Sequence, residues 1–429
     1  MPIDTATPMD AGTPIPPAKQ NWLHRLGAGL IAGAADDDPS GIATYSQAGA
    51  QFGYATLWTA WLTLPLMIGI QTVSAHVGRV TGHGLAANMR RHFPRPALVA
   101  LVALLLAANI INLAADIGAM GAALRLLIGG PQVLYALAFA MLSLLLEVVI
   151  PFPRYAPLLK FMTLSLFAYV ATACVIEVPW GEVRRNFVPR GLPWHDYLVT
   201  VVAVFGTTIS PYLFFWQASE EAEEEETDTA QSPLTAAPEQ AREAFARIRF
   251  DTDVGMIYSN VVAFFIMLTA GAVLHAHGVT QISTAADAAS ALQPLAGPFA
   301  ASLFAIGIVG TGLLAVPVLA GSAAYAVAEA FDVKAGLGNK PGDARVFYLI
   351  IAGSTVLGAV LSVSRFDPIR MLFWAAVING VIAVPLMVGI MLIATREAAM
   401  GAFRITGSLR WLGWLATLAM AAVVAAMLL

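Results

Sequence analysis

Gly27–Tyr54, GAGLIAGAADDDPSGIATYSQAGAQFGY, is the stretch from which the rest of the chain is read. It begins as an apolar helix and meets three consecutive carboxylates at Asp36, Asp37 and Asp38. Pro39-Ser40-Gly41 follows, and then a second helical pattern. Proline lacks the N–H that a helical ladder needs and glycine weakens helix continuity, so the helix is expected to break here. In a membrane-spanning segment the break falls near mid-bilayer. Carboxylates at that depth are costly and face a bundle interior or a watery cavity. Freed carbonyls beside an aspartate make a candidate cation site.

Composition sets the environment. The 429 residues are 58% hydrophobic and only 12% charged, and the mean hydropathy is +0.74. Soluble chains carry about 25% charged residues, so this is an integral membrane protein. The net charge of −4 says little, because its sources are segregated along the chain. Cys174 is the only cysteine, which excludes an intrachain disulfide and cysteine-based zinc or redox motifs. No Ser/His/Asp set, phosphate loop or HExxH motif is present, so an enzyme is not expected; nor is there a nucleic-acid signature or a cofactor motif.

Eleven apolar segments are long enough to cross a bilayer: 24–48, 55–77, 97–127, 131–150, 157–178, 197–218, 253–274, 298–330, 344–363, 369–394 and 409–429. Runs of this length can only be helices. With the N-terminus inside, seventeen basic residues flank the cytoplasmic ends and six the outer ends, a positive-inside bias that places the C-terminus outside in an inner (plasma) membrane. The expected organisation is a cytoplasmic tail (1–21), a first five-helix repeat (22–178), an outer loop (179–196), a second repeat (197–394) containing an acidic cytoplasmic linker (219–250), and an eleventh helix (395–429). The tail, rich in Pro, Thr and Ala, reads as disordered rather than as a signal peptide.

The sixth segment repeats the logic of the first. At Phe205-Gly206-Thr207-Thr208-Ile209-Ser210-Pro211-Tyr212 an apolar helix again meets glycine, hydroxyl residues and proline. Two interrupted helices five spans apart read either as proline kinks in ordinary packed helices or as the breaks of two five-helix halves of inverted topology. The pairing with the aspartates of the first segment favours the second, with the substrate bound between the breaks.

These residues resemble the natural resistance-associated macrophage protein (NRAMP) family, proton-linked importers of divalent transition metals with the leucine-transporter fold. The resemblance runs from about Leu26 to Ala394. It is strongest in GLIAGAADDDPSGIATYSQAGAQFGYATLW and extends to IQTVSAHVGRVTGHGLA and LFAIGIVGTGLLAVPVLAGSAAYAVAEAF. It implies an all-α integral membrane transporter with a 5+5 inverted repeat and helices 1 and 6 broken. The family's Asp-Pro-Gly-Asn reads Asp38-Pro39-Ser40-Gly41, keeping the aspartate and losing the asparagine ligand. Its Met-Pro-His reads Ser210-Pro211-Tyr212, losing the thioether and the histidine. Its Asp-Leu-Ala-Glu reads Asn112-Leu113-Ala114-Ala115, with Asp116 about 100° further around the helix. The carbonyl ligands of the family map to Ala35 and Thr207. The chain thus resembles a divergent branch.

Asp38 is the principal candidate ligand, and it is equally suited to cap the second half-helix. Ala35, Thr207 and Ser210 complete the expected metal site, though a hydroxyl bonded back to its own helix is the common fate of a membrane serine. Asp36 and Asp37 are candidates for an ion vestibule, a second ligand or a proton acceptor, and read equally well as a solvated cavity wall. Asn109, Asn112 and Asp116 form one polar stripe, read either as a proton or water path or as interhelical glue. Tyr212 is read as packing, and Glu220–Glu226 as a solvated, self-repelling run. The expected substrate is a divalent metal cation, with Mg²⁺ or Mn²⁺ favoured, moved by alternating access; the sequence leaves proton coupling open. The competing readings are a small organic cation or amino acid on the same fold, and a non-transporting membrane sensor.

Overall fold

The computed structural model describes residues 27–150, 154, 161, 163–186, 188, 194–228, 230–363 and 367–429; the expected tail lies outside them. Among the described residues the structure is helical, without strands. The first span is α1 (Ala28–Asp36) and α2 (Pro39–Phe52), followed by α3 (Trp58–Thr81), a short α4 (Leu85–His92), α5 (Arg95–Ile128), α6 (Gln132–Val149) and α7 (Phe167–Val175). The sixth span is α8 (Trp194–Thr208) and α9 (Pro211–Thr227). Then come α10 (Ala241–Val273), α11 (Ala300–Ala330), α12 (Arg345–Ser362), α13 (Pro368–Ala394) and α14 (Gly407–Leu428). Nine described stretches are long and apolar enough to cross a membrane. The interrupted α1–α2 pair and the shorter apolar Leu164–Val175 account for the other two expected crossings.

Both breaks lie where proline enforces them. Pro39 and Pro211 each open the second half-helix, where a missing N–H costs nothing, and the residues before them, Asp38 and Ser210, are extended. The half-helices then pack closely through small residues, as membrane helices do when backbones must approach. α1 lies against α10 so tightly that a Cβ at Gly33 would run into the backbone of Gly255, and α8 meets α13 in the same way at Gly206 and Gly380. α5 packs along α11 through the centre. Large apolar side chains on α6, α12 and α14, such as Met141, Leu349 and Trp411, point outward, as lipid-facing positions require.

The acidic run departs from its expected solvated state. α9 continues as a helix to Thr227, and α10 begins at Ala241, so residues 228–240 make the connection. Only Glu224 and Glu226 of the run are exposed. Glu225 pairs at 2.7 Å with Arg79 of α3, itself buried. Arg79 also donates to the Ser232 carbonyl at 2.7 Å and to Gln240 Oε1 at 2.8 Å. Glu221 pairs with Arg247 of α10 at 2.5 Å. Glu223 accepts from the Leu337 and Gly338 amides and from the Tyr325 hydroxyl. Two arginines from neighbouring elements thus pair with three of the six carboxylates, and sequence distance hides those partners. Arg79 and Arg247 thereby hold α9 against α3 and α10 at the basic end of the bundle.

Candidate metal site at the two helix breaks

Asp38 holds the position that its sequence context demands. As N-cap of α2 it accepts the Gly41 amide at 2.7 Å through Oδ1. Ser40 fixes the head of the helix from the other side, donating its hydroxyl to the Leu372 carbonyl of α13 at 2.9 Å. Gly41, standing where the family has asparagine, is closely packed against the Asp36 carbonyl, the Tyr45 ring and the Thr207 hydroxyl. A Cβ there would sit 3.1 Å and 3.4 Å from those two oxygens.

Asp36 and Asp37 lie at the end of α1 and are fully buried. Ser259 of α10 donates to Asp36 Oδ2 at 2.6 Å and lies 3.3 Å from Asp37 Oδ1. Asp36 Oδ1 and Asp37 Oδ2 find no partner among the described residues. The buried carboxylate of Asp116, on α5, also has no formed hydrogen bond, but it faces the Ser40 amide and lies within electrostatic reach of Asp38. Asn112, one turn earlier, has both amide atoms buried and unpartnered. Asn109 instead donates to the Leu319 carbonyl at 3.1 Å, acting as glue between α5 and α11.

Tyr212 does more than pack. Its hydroxyl donates to the Ala35 carbonyl at 2.8 Å and lies 3.4 Å from Asp38 Oδ2. The Ala35 oxygen therefore keeps one lone pair for another partner. Ser210 turns back on its own helix, donating to the Thr207 carbonyl at 2.7 Å and lying 3.2 Å from the Gly206 carbonyl. Its oxygen keeps acceptor capacity, and so does the Thr207 oxygen. Tyr45 of α2 bridges to Thr208 at 2.9 Å. Ser259, Tyr45 and the role of Tyr212 were not read from the sequence. The polar pair Ser259-Asn260 in the middle of an apolar run was the available signal for the first.

The breaks therefore bring together Asp36, Asp37, Asp38, Asp116 and the carbonyl ends of α1 and α8. No Lys, Arg or His among the described residues pairs with these carboxylates. Helix C-terminal carbonyls and unpaired carboxylates make a field that favours a cation. No three His, Cys, Asp or Glu side chains among the described residues converge as a ready metal-ligand set. The arrangement offers a few oxygens around a space, not an all-protein cage. A cavity of about 440 Å³, lined by Ala43, Gln47, Thr200 and Arg370 among others, opens beside α2 on the side away from the Arg79–Glu225 closure.

The helical bundle with two broken helices meeting at a buried polar site has the leucine-transporter architecture, and its family makes it a transporter, not an enzyme. The chain belongs to the NRAMP family: the sequence profile described as "Natural resistance-associated macrophage protein-like" matches residues 29–429. It is 30% identical over 309 residues to the divalent metal cation transporter MntH of Yersinia enterocolitica (serotype O:8 / biotype 1B), a match covering 70% of this chain and 71% of that protein. The MntH of Yersinia pestis (strain Pestoides F) is 29% identical over 305 residues, 69% and 70% of the two chains. Among solved structures, the Eremococcus coleocola manganese transporter in complex with an aromatic bis-isothiourea substituted compound superposes with a TM-score of 0.73 at 18% identity, covering 95% of this chain and 87% of that one. MhsT in complex with L-phenylalanine gives 0.61 at 12% identity, covering 94% and 98%. At these identities the likeness is one of fold.

Proposed function

We propose that the protein moves a hard, partly hydrated divalent cation, Mg²⁺ or Mn²⁺, across an inner membrane by alternating access, with the N-terminus cytoplasmic. The observation that carries this reading is the cluster of buried carboxylates at the first break with no cationic partner, facing a sixth-helix break that holds Ser210 in place of a thioether. Asp38, the Ala35 and Thr207 carbonyls and the Ser210 oxygen are the ligands, and water fills the remaining positions. Such a donor set suits Mg²⁺ and Mn²⁺, and Mg²⁺ retains several waters because it dehydrates reluctantly. The names of the Yersinia relatives support a divalent metal as the substrate class. The same carboxylates disfavour a substrate carboxylate, which would seek half-helix N-termini without an acidic cluster.

Competition uptake into proteoliposomes tests the selectivity. Mg²⁺ and Mn²⁺ are expected to compete with each other, Ca²⁺ to be poorly excluded, and Cd²⁺ to compete no better than Mg²⁺. Block by Cd²⁺ at a far lower concentration would reveal a soft ligand and overturn the reading. Ser210→Met should raise the apparent affinity for Cd²⁺ relative to Mg²⁺ by about tenfold, since a thioether prefers softer ions. An unchanged order would remove position 210 from the ligand set.

Proton co-transport is expected to be weak, because Asn112, Ala115 and Tyr212 stand at titratable family positions. A pH-sensitive dye inside the vesicles should show little acidification under an inward metal gradient at zero membrane potential. Robust acidification that disappears in Asp116→Asn would assign the proton to Asp116 instead.

A further inference from the structure

A second recognition surface lies outside the transport path, at the basic end of the bundle. Here α5 and the end of α11 part to leave a groove of about 520 Å³. Leu98, Val102 and Leu106 line it at successive turns of α5, and Val327 and Phe331 line the facing wall. Arg90 and Arg95 stand at its mouth. From Arg95 to Leu106 the groove follows α5 for about 16 Å. That is close to one leaflet of a hydrocarbon core about 30 Å thick.

The mouth has unused cationic capacity. Arg95 is exposed and makes no ion pair or hydrogen bond among the described residues. Arg90 gives Nη2 to Asp332 at 2.6 Å, but its Nε–H is buried without a partner. Arg91, exposed, adds a third positive charge beside them. Asp332 and Glu329 are the carboxylates that oppose Arg90 at this rim, and with Arg90, Arg91 and Arg95 against them the balance stays positive. Apolar walls alone would accept any lipid tail. A free, exposed guanidinium at the mouth, that of Arg95, adds a preference for an anionic headgroup.

We propose that this groove is a binding site for an anionic phospholipid, its phosphate held between Arg90 and Arg95 and one acyl chain laid along Leu98, Val102 and Leu106 against Val327 and Phe331. The lipid belongs to the leaflet on the basic side of the protein. A basic residue close to a membrane surface is worth about 1 kcal/mol toward anionic lipid, which is about fivefold in affinity per arginine.

The test uses the full chain in detergent, incubated with equal amounts of phosphatidylglycerol and phosphatidylcholine, with retained lipid read by native mass spectrometry. Phosphatidylglycerol should be retained preferentially. Arg95→Gln should reduce that preference by about fivefold, and Arg90→Gln/Arg95→Gln should abolish it. Val102→Trp fills the groove without touching the charges and should reduce retention of both lipids; it serves also where the double variant fails to fold. Equal retention of the two lipids overturns the proposal, as does a preference that survives both Arg95→Gln and Val102→Trp. Displacement of the lipid by inorganic phosphate also overturns it, leaving an anion site with no role for the acyl groove.

Discussion

Asp38→Asn is expected to insert and fold as the native chain does and to lose metal uptake by about a hundredfold or more. Two roles meet in this side chain, and the substitution separates them. As N-cap, Asp38 accepts the Gly41 amide at 2.7 Å; asparagine caps equally well, so the helix break keeps its geometry. As the carboxylate matched to the family motif, Asp38 supplies negative charge in a buried setting, and asparagine removes it. Losing one charged partner of a buried pairing costs about 3 kcal/mol or more, hence about a hundredfold in affinity. Asp38→Ala loses the charge and also the cap, about 1 kcal/mol of stability, so it should lose uptake and melt lower. Uptake by purified protein in proteoliposomes, beside a thermal melt of each variant, makes the comparison. Native uptake in Asp38→Asn would mean that the ion binds elsewhere, and Asp36, Asp37 and Asp116 would be next in line.

The breaks were legible in the sequence because their cause is local. Pro39 and Pro211 each remove a ladder N–H beside small polar residues, and an aspartate before proline caps the helix that follows. Proline alone is not the signal, since Pro65, Pro317 and Pro385 lie within continuous helices. The third-helix stripe was legible for a similar reason, since the helical repeat puts Asn112 and Asp116 on one face. What that face meets was not legible, and here the stripe divides: Asn109 binds the Leu319 carbonyl, while Asp116 turns toward Ser40 and Asp38. Ser259 reaches Asp36 across more than two hundred residues, and the Tyr212 hydroxyl finds the Ala35 carbonyl by the same kind of tertiary accident. The acidic run misled because charge repulsion is read from neighbours in sequence. Its neutralising partners, Arg79 and Arg247, come from other helices.

Asp251→Ala is expected to shift the protein toward a state open on the basic side, by about a hundredfold in the closed-to-open ratio. The joint between α1 and α10 rests on few contacts. Asp251 of α10 accepts three amides from the start of α1: Gly27 at 2.9 Å, Gly29 at 2.6 Å and Leu30 at 3.0 Å. These are orphan donors of a helix N-terminus, satisfied from a different helix. The same stretch of α1 is pressed onto α10 where Gly29 and Gly33 meet Gly255, and Arg247, one turn before Asp251, ties α10 to Glu221 of α9. In the proposed alternating-access cycle this joint would open on each turn, and its strength would set the population of the closed state. Hydrogen bonds to a charged group contribute about 1.5–3 kcal/mol each. With water replacing part of what is lost, a net loss of about 3 kcal/mol corresponds to the hundredfold shift. Cys174 is exposed and must first be replaced by alanine. Thr252→Cys, buried beside Gly29, then reports the opening. Labelling by a charged maleimide from the basic side should be at least about tenfold faster with Asp251→Ala than without it. Asp251→Asn, which keeps one carbonyl acceptor, should fall between the two. On the proposed cycle, faster labelling should come with slower net uptake, because the state open on the opposite side would be depopulated. Unchanged labelling in a destabilised protein would make Asp251 a structural cap alone, and the joint that opens would have to lie at Arg79 and Glu225.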